Sequence, residues 1–229
     1  MAAGAYVALF GVHSDGAQKT EETANVRDPL RRVVEIRVGE YRYHIPLNYI
    51  NPRGNFKGQR WEYPNRAKEE KNRGYRTFPT AGFKTFLPDY RGYDQDNFRD
   101  PFHPDKITVN WLADDAGAGE TETRLRNLTT ANLIEPIPSL SLHGLKGYKG
   151  AGAYIDRVIW IGVGSHGEKM FIQCVTKVPK PLCQVRYHQK VNRYWLAYTY
   201  TDSHLAKWRA IDDNVNCLLM TWRVGRLTN

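Results

Sequence analysis

The chain has 229 residues, enough for one large domain or two small ones. Its hydrophobic content of 41% supports a real core and excludes an intrinsically disordered chain. The net charge of +9 points to an acidic protein, an anionic membrane surface or nucleic acid as partner. No run of eighteen apolar residues occurs, so the sequence holds no complete membrane-spanning helix.

Residues 1–31 read as a unit apart from the rest. Ala2–Val12 is apolar throughout and gives way abruptly to a polar linker at 13–31. The apolar part is too short to span a bilayer and reads as the tail of a signal peptide or membrane anchor, with an ordinary first strand as the alternative. Residues 32–229 read as one globular domain.

That domain begins with a hairpin. Val33–Val38 and Tyr41–Ile45 alternate on either side of the two-residue connection Gly39-Glu40. Residues 51–76 are polar and turn-rich and read as a long surface loop. Strands follow at Gly82–Leu87, stopped by Pro88, and at Lys106–Leu112. A short helical turn is expected between Asp94 and Asp100. The small, acidic stretch 114–123 reads as a loop, and 124–152 gives no clear signal. Tyr154–Ile161, Lys169–Cys174, Leu182–Tyr187 and Arg193–Tyr200 are the strongest strand candidates, being rich in aromatic and β-branched residues. The period then changes. Asp202 or Ser203 can cap a helix in which Leu205, Trp208, Ile211, Val215, Leu218 and Trp222 recur at three- and four-residue spacing, with Gly225 as its stop. The expected fold class is α+β, mainly β: antiparallel sheet or sheets with the C-terminal amphipathic helix packed on one face.

The cysteines bear on compartment. Cys174 and Cys183 lie at the inner ends of two strand candidates, with Pro179 and Pro181 in the turn between them. Facing strands of a tight hairpin bring Cα atoms within disulfide range, roughly 4.4–6.8 Å. A bridge there places folding in an oxidising compartment. The alternatives are two reduced thiols, or a metal site for which no further Cys or His stands at ligand spacing. Cys217 falls within the helical pattern and is expected to be a buried, inert thiol.

Several motifs fail on inspection. Gly162-Val-Gly-Ser-His-Gly167 matches the dinucleotide fingerprint, but a strand follows where a helix must, so the glycines serve a hairpin turn. Ser165 lacks the first glycine of a nucleophile elbow. No histidine pair stands at helical metal-ligand spacing, and His143 is expected to be buried without an assigned role. The acidic cluster Asp89, Asp94, Asp96, Asp100 and Asp105 lacks the glycine of a calcium loop and reads as a capped turn. A paired-carboxylate glycosidase site has no support at the level of sequence. No cofactor or metal is expected.

The segment Arg53–Arg76 carries eight Lys/Arg against three Glu, interleaved with Phe56, Trp61, Tyr63 and Tyr75. Such a mixture suits a protein interface, since Trp, Tyr and Arg dominate hot spots. It also suits single-stranded nucleic acid or anionic lipid, or a merely solvated loop. An oxidising compartment counts against nucleic acid. Arg60, Trp61, Tyr63 and Arg76, with Tyr90 and Tyr93 beside the acidic turn, are the expected partner-binding residues.

A set of phrases carries a resemblance: Tyr43-His-Ile-Pro-Leu-Asn-Tyr-Ile50, Phe86-Leu-Pro-Asp-Tyr90 with Asn97-Phe98, and Gly144-Leu-Lys-Gly-Tyr148. Ile172-Gln-Cys174 with Cys183 follows, then Tyr198–Tyr200 and the series Leu205, Trp208, Ile211, Val215. In this order they resemble the periplasmic immunity proteins encoded beside type VI secretion lipase effectors, and more narrowly the partner of the DUF3274-type α/β-hydrolase phospholipase. The resemblance does not extend to the basic segment 51–76. It implies a non-catalytic inhibitor that binds a secreted lipase in the periplasm, with the apolar N-terminus as a remnant of an inner-membrane tether. It transfers no catalytic residues. The other readings are a periplasmic enzyme acting on an anionic lipid or polymer, and an adaptor that loads the lipase without inhibiting it.

Overall fold

The computed structural model describes residues 33–38, 40–50, 76–77, 81–94, 97, 100, 102–112 and 120–226. Two sheets make up most of it. The smaller has four strands in the order β12-β2-β1-β3: β1 (Val33–Val38), β2 (Tyr41–Pro46), β3 (Arg76–Thr77) and β12 (Arg223–Arg226). The larger has eight, in the order β4-β5-β11-β10-β9-β8-β7-β6. Its strands are β4 (Ala81–Phe86), β5 (Lys106–Leu112), β6 (Ile134–Pro136), β7 (Lys146–Gly150), β8 (Arg157–Val163), β9 (Lys169–Val175), β10 (Leu182–Gln189) and β11 (Tyr194–Thr201). Every pairing is antiparallel except β1 with β3. Among the described residues α-helices form at α1 (Leu47–Ile50), α2 (Glu120–Thr130) and α3 (Trp208–Trp222). The α+β, mainly β class with a C-terminal helix is therefore the observed one.

Strand periodicity explains how the large sheet buries both faces. Along β9, Met170, Ile172 and Cys174 point to one side and Phe171 to the other. The first side joins the main core. There Trp111, Val185, Tyr187, Leu196 and Tyr198 meet Trp208, Ile211, Val215 and Leu219 of α3 and Ile36, Tyr43 and Ile45 of the small sheet. The second side is covered by α2, whose Leu128 packs with Ile134, Ile159, Ile161 and Phe171. An aromatic cluster joins the layers at edge-to-face geometry, favoured by ring quadrupoles. Trp111 meets Tyr43 at 5.4 Å and Phe83 at 5.8 Å, and Trp222 meets Phe83 at 4.9 Å and Tyr49 at 4.7 Å.

Several expectations need correction. The acidic stretch read as a loop runs into helix α2 at Glu120; Glu120 and Glu122 in its first turn favour the positive end of the helix dipole. Arg76, read as part of the loop, pairs with Ile36 in β3, and 51–75 lies outside the described residues. The apolar segment and linker at 1–32 lie outside them too. The last helix starts later than expected, because Asp202–Lys207 forms a tighter 3₁₀ stretch ahead of Trp208. It also ends without its glycine: Arg223 turns to extended backbone and β12 begins, with Gly225 taken up in a bulge against β2. Cys217 is exposed, since it sits one residue off the buried stripe of Asp212, Val215, Asn216 and Leu219. His143 is also exposed and takes a left-handed backbone, φ 54°.

Candidate partner-binding surface

The strands fix which loops gather where. Pairings of Phe86 with Lys106, Leu182 with Thr201 and Val175, and Arg157 with Val175 bring the loop 87–105, the turn 151–156 and the turn 176–181 to one end of the large sheet. Tyr90 and Tyr93 belong to the first of these. The loop is tied back on itself: Phe86 N–H donates to the Arg91 carbonyl at 2.9 Å and Leu87 N–H to that of Asp105 at 3.0 Å. Asp94 and Asn97 cap each other reciprocally at 2.9 Å through their amides and side chains. Arg91 lies 3.1 Å from the Asp94 carboxylate and 3.7 Å from that of Asp89. The expected capped turn is seen at Asp94, and Arg91 adds charge pairing with Asp94 and Asp89; Asp96 lies outside the described residues.

Tyr90 and Tyr93 differ in what they offer. Tyr93 is 4% exposed, its ring 5.1 Å from Phe86, and burial pushes its hydroxyl up to about 12. Its ring belongs to the packing of the loop. Tyr90 is half-buried in a left-handed conformation, φ 56°. Desolvation raises its hydroxyl above the ordinary value, opposed by a hydrogen bond with Asn214 of α3. Helix α1 is bonded to the same turn: Tyr49 Oη donates to the Tyr90 carbonyl at 3.0 Å, and Tyr93 N–H to the Asn48 carbonyl at 2.8 Å. Helix α1, which ends at Ile50, is therefore held beside the Tyr90 turn. Arg60, Trp61 and Tyr63 lie outside the described residues.

Cys174 and Cys183 are bonded. They stand opposite each other on β9 and β10 with Cα atoms 4.0 Å apart, inside the buried core. The separation is a little under the roughly 4.4–6.8 Å expected from sequence.

Between the large sheet and α3 lies a buried polar cluster that sequence reading missed. Tyr187 and Tyr198 both donate to Asp212 Oδ1, at 2.6 and 3.0 Å. Asn216 Nδ2 donates to Tyr187 Oη at 2.7 Å, and Asn216 Oδ1 accepts from Tyr194 at 2.7 Å. Burial raises the Asp212 carboxyl to about 6 despite these two hydroxyl donors, and the carboxylates of Asp213 and Glu168 push the same way. Glu168 is itself buried; one of its oxygens accepts the His166 backbone N–H at 3.2 Å. Asp212 and Asn216 are four residues apart, hence neighbours on one helix face. Polar residues at that spacing inside the apolar stripe were the available signal.

The two histidines an enzymatic reading would recruit do not converge on these carboxylates. His166 is exposed and meets Glu168 through its backbone, while the exposed His143 meets Trp208 Nε1 through its carbonyl at 2.9 Å. Among the described residues no group of three or more His, Cys, Asp or Glu could hold a metal ion. Nor is any described helix long and apolar enough to cross a membrane.

No described protein family matches the sequence, and no curated relative does. The fold is nonetheless shared. The solved structure of Smlt3025, described as an immunity protein of the Stenotrophomonas maltophilia type IV secretion system, superposes with a TM-score of 0.57 at 14% identity. The match covers 85% of this chain and 94% of that one.

Proposed function

We propose that this chain is a non-catalytic immunity protein that binds a secreted antibacterial effector in the periplasm and silences it. The observation that carries the reading is the near full-length fold shared with a secretion-system immunity protein. The buried disulfide supports an oxidising compartment. Both agree with the family that the sequence phrases resemble. From that resemblance alone comes the finer assignment: the effector is an α/β-hydrolase phospholipase delivered by type VI secretion, whereas the structural neighbour serves a type IV system.

Inhibition is stoichiometric on this reading. The chain covers the lipase's substrate entrance or holds the lid that gates it, and holding one lid is enough to stop turnover. Protection of the producing cell calls for nanomolar affinity or better, on the order of −12 kcal/mol. An interface of about 1,600 Å² with good anchors supplies that. Tyr90, Arg76 and the segment holding Arg60, Trp61 and Tyr63 are the proposed anchors.

The test is titration of the purified product of the adjoining reading frame with the purified chain, following phospholipid hydrolysis. Activity should fall linearly to near zero at a molar ratio of one. Full activity at equimolar chain overturns the reading, and binding without loss of activity replaces it with an adaptor role.

A further inference from the structure

Four of the large apolar side chains that the fold leaves exposed fall at one end of the eight-stranded sheet: Phe102 at 68%, Ile155 at 62%, Leu182 at 49% and Val178 at 41%. Phe102, Ile155 and Val178 come from three loops and Leu182 from the start of β10, and the strand register brings them together. Phe102 touches the β9–β10 turn, its ring 5.3 Å from Lys180 Nζ. Thr176, in the same turn, donates both its N–H and its hydroxyl to the Asp156 carbonyl, next to Ile155, at 2.9 and 3.1 Å.

This end is also stiff. The disulfide closes the β9–β10 turn at its base. Pro179 and Pro181 restrict it, and the Pro181 carbonyl accepts from Asp202 N–H at 3.2 Å. Thr201 Oγ1 bonds the Pro104 carbonyl at 2.8 Å, fixing the loop that carries Phe102. Apolar side chains held on rigid loops lose little entropy on binding.

Two lysines stand on the rim of this end. Neither Lys177 nor Lys180 has a carboxylate partner among the described residues. Of the neighbouring acids, Asp156 lies 3.6 Å from Arg157 and Asp105 3.0 Å from His204, while Asp100 accepts the Phe102 N–H at 2.8 Å and Asp202 adjoins Pro181.

We propose that this stapled end, built from Phe102, Ile155, Val178, Leu182, Lys177 and Lys180, is a docking surface for an acidic protein surface with an apolar recess. Resting on the immunity reading, its occupant is the effector. An apolar centre with a charged rim is the anatomy of such interfaces. A membrane surface fits less well: Lys177 and Lys180 fall short of the four to eight basic residues that hold a protein on anionic lipid.

The experiment uses the full chain in three forms: wild type, the tip variant Val178→Asp/Leu182→Asp, and the control Val163→Asp/Val191→Asp, whose residues are exposed at the other end of the sheet. Each is checked for a closed disulfide and an unchanged melting temperature. Should the tip pair disturb the fold, the single exposed change Phe102→Ser takes its place. Each is titrated calorimetrically against the purified product of the adjoining reading frame, and separately sedimented with phosphatidylglycerol vesicles. The proposal expects the tip variant to bind that protein about 100-fold more weakly, with the control within about threefold of wild type. It further expects Lys177→Glu/Lys180→Glu to slow association by about tenfold at low salt. Equal affinity of wild type and tip variant, with inhibition intact, overturns the surface and leaves the immunity reading standing. No binding by wild type overturns both. Vesicle binding that only the tip change abolishes, with effector affinity unchanged, assigns the surface to lipid instead.

Discussion

Asp212 sets a stability dependence that runs opposite to that of most carboxylates. Its carboxyl is raised from 3.8 to about 6, chiefly by burial, so the folded chain holds this proton more tightly than the unfolded one. The associated stabilisation is complete below about pH 4 and is lost as pH rises through 6, amounting to roughly 3 kcal/mol. Asp212→Asn keeps an oxygen acceptor for Tyr187 and Tyr198 but cannot ionise. Denaturant midpoints between pH 4 and 7.5 should show the variant gaining on wild type as pH rises. Asp212→Leu strips two buried hydroxyls of their acceptor and should cost about 2–4 kcal/mol. Gly150 is a steric counterpart. A methyl group there would lie 1.7 Å from the Tyr154 carbonyl oxygen, so Gly150→Ala must move the 152–154 turn. A clear drop in melting temperature is expected by scanning calorimetry, of several degrees per 1–2 kcal/mol lost. For Asp212 the sequence held one cue, its four-residue spacing from Asn216 inside the apolar stripe, while its partners Tyr187 and Tyr198 are set by tertiary packing. For Gly150 it held none, because the close approach of Tyr154 depends on how the 152–154 turn folds back.

At the level of elements, the β9–β10 hairpin rests on its disulfide. Closing a loop of nine residues' separation should stabilise the fold by about 2–3 kcal/mol. Urea unfolding of the oxidised chain against Cys174→Ala/Cys183→Ala measures it. Ellman titration without denaturant should find one reactive thiol, Cys217. This hairpin was readable, as were the strands around it, because apolar alternation with β-branched and aromatic residues is a strong signal over six to eight positions. Helix α2 was not. Its sequence Glu-Thr-Glu-Thr-Arg-Leu-Arg-Asn-Leu-Thr-Thr offers only Leu125 and Leu128 to its core, too few for a periodic pattern. Helix α3 was found by its apolar stripe, but its end was misplaced. The pairing of Arg223 with Tyr43 stops it, and that is a tertiary contact rather than a local cue.

For the whole molecule, the excess of positive charge has a kinetic signature. If the effector's docking face is acidic, association should slow by about tenfold between 50 and 500 mM salt while dissociation changes little, which stopped-flow mixing can follow. The candidate surface was only partly legible. Tyr90 was named from the sequence as a partner-binding residue beside the acidic turn, and it sits half-buried within that turn; Arg60, Trp61 and Tyr63 lie outside the described residues. The gathering of Phe102 and Ile155 beside Val178 and Leu182 was not legible, since segments far apart in sequence meet only through strand register. Register also gives the end of the chain a second task. Helix α3 packs on the large sheet, and the strand that leaves it directly becomes the edge of the small one, latched by Arg226 to Glu40. Undocking that helix therefore unzips β12 from β2 in the same step. In hydrogen exchange, amides of β2 and of β11 should share one opening free energy, and the two sheets should behave as a single foldon.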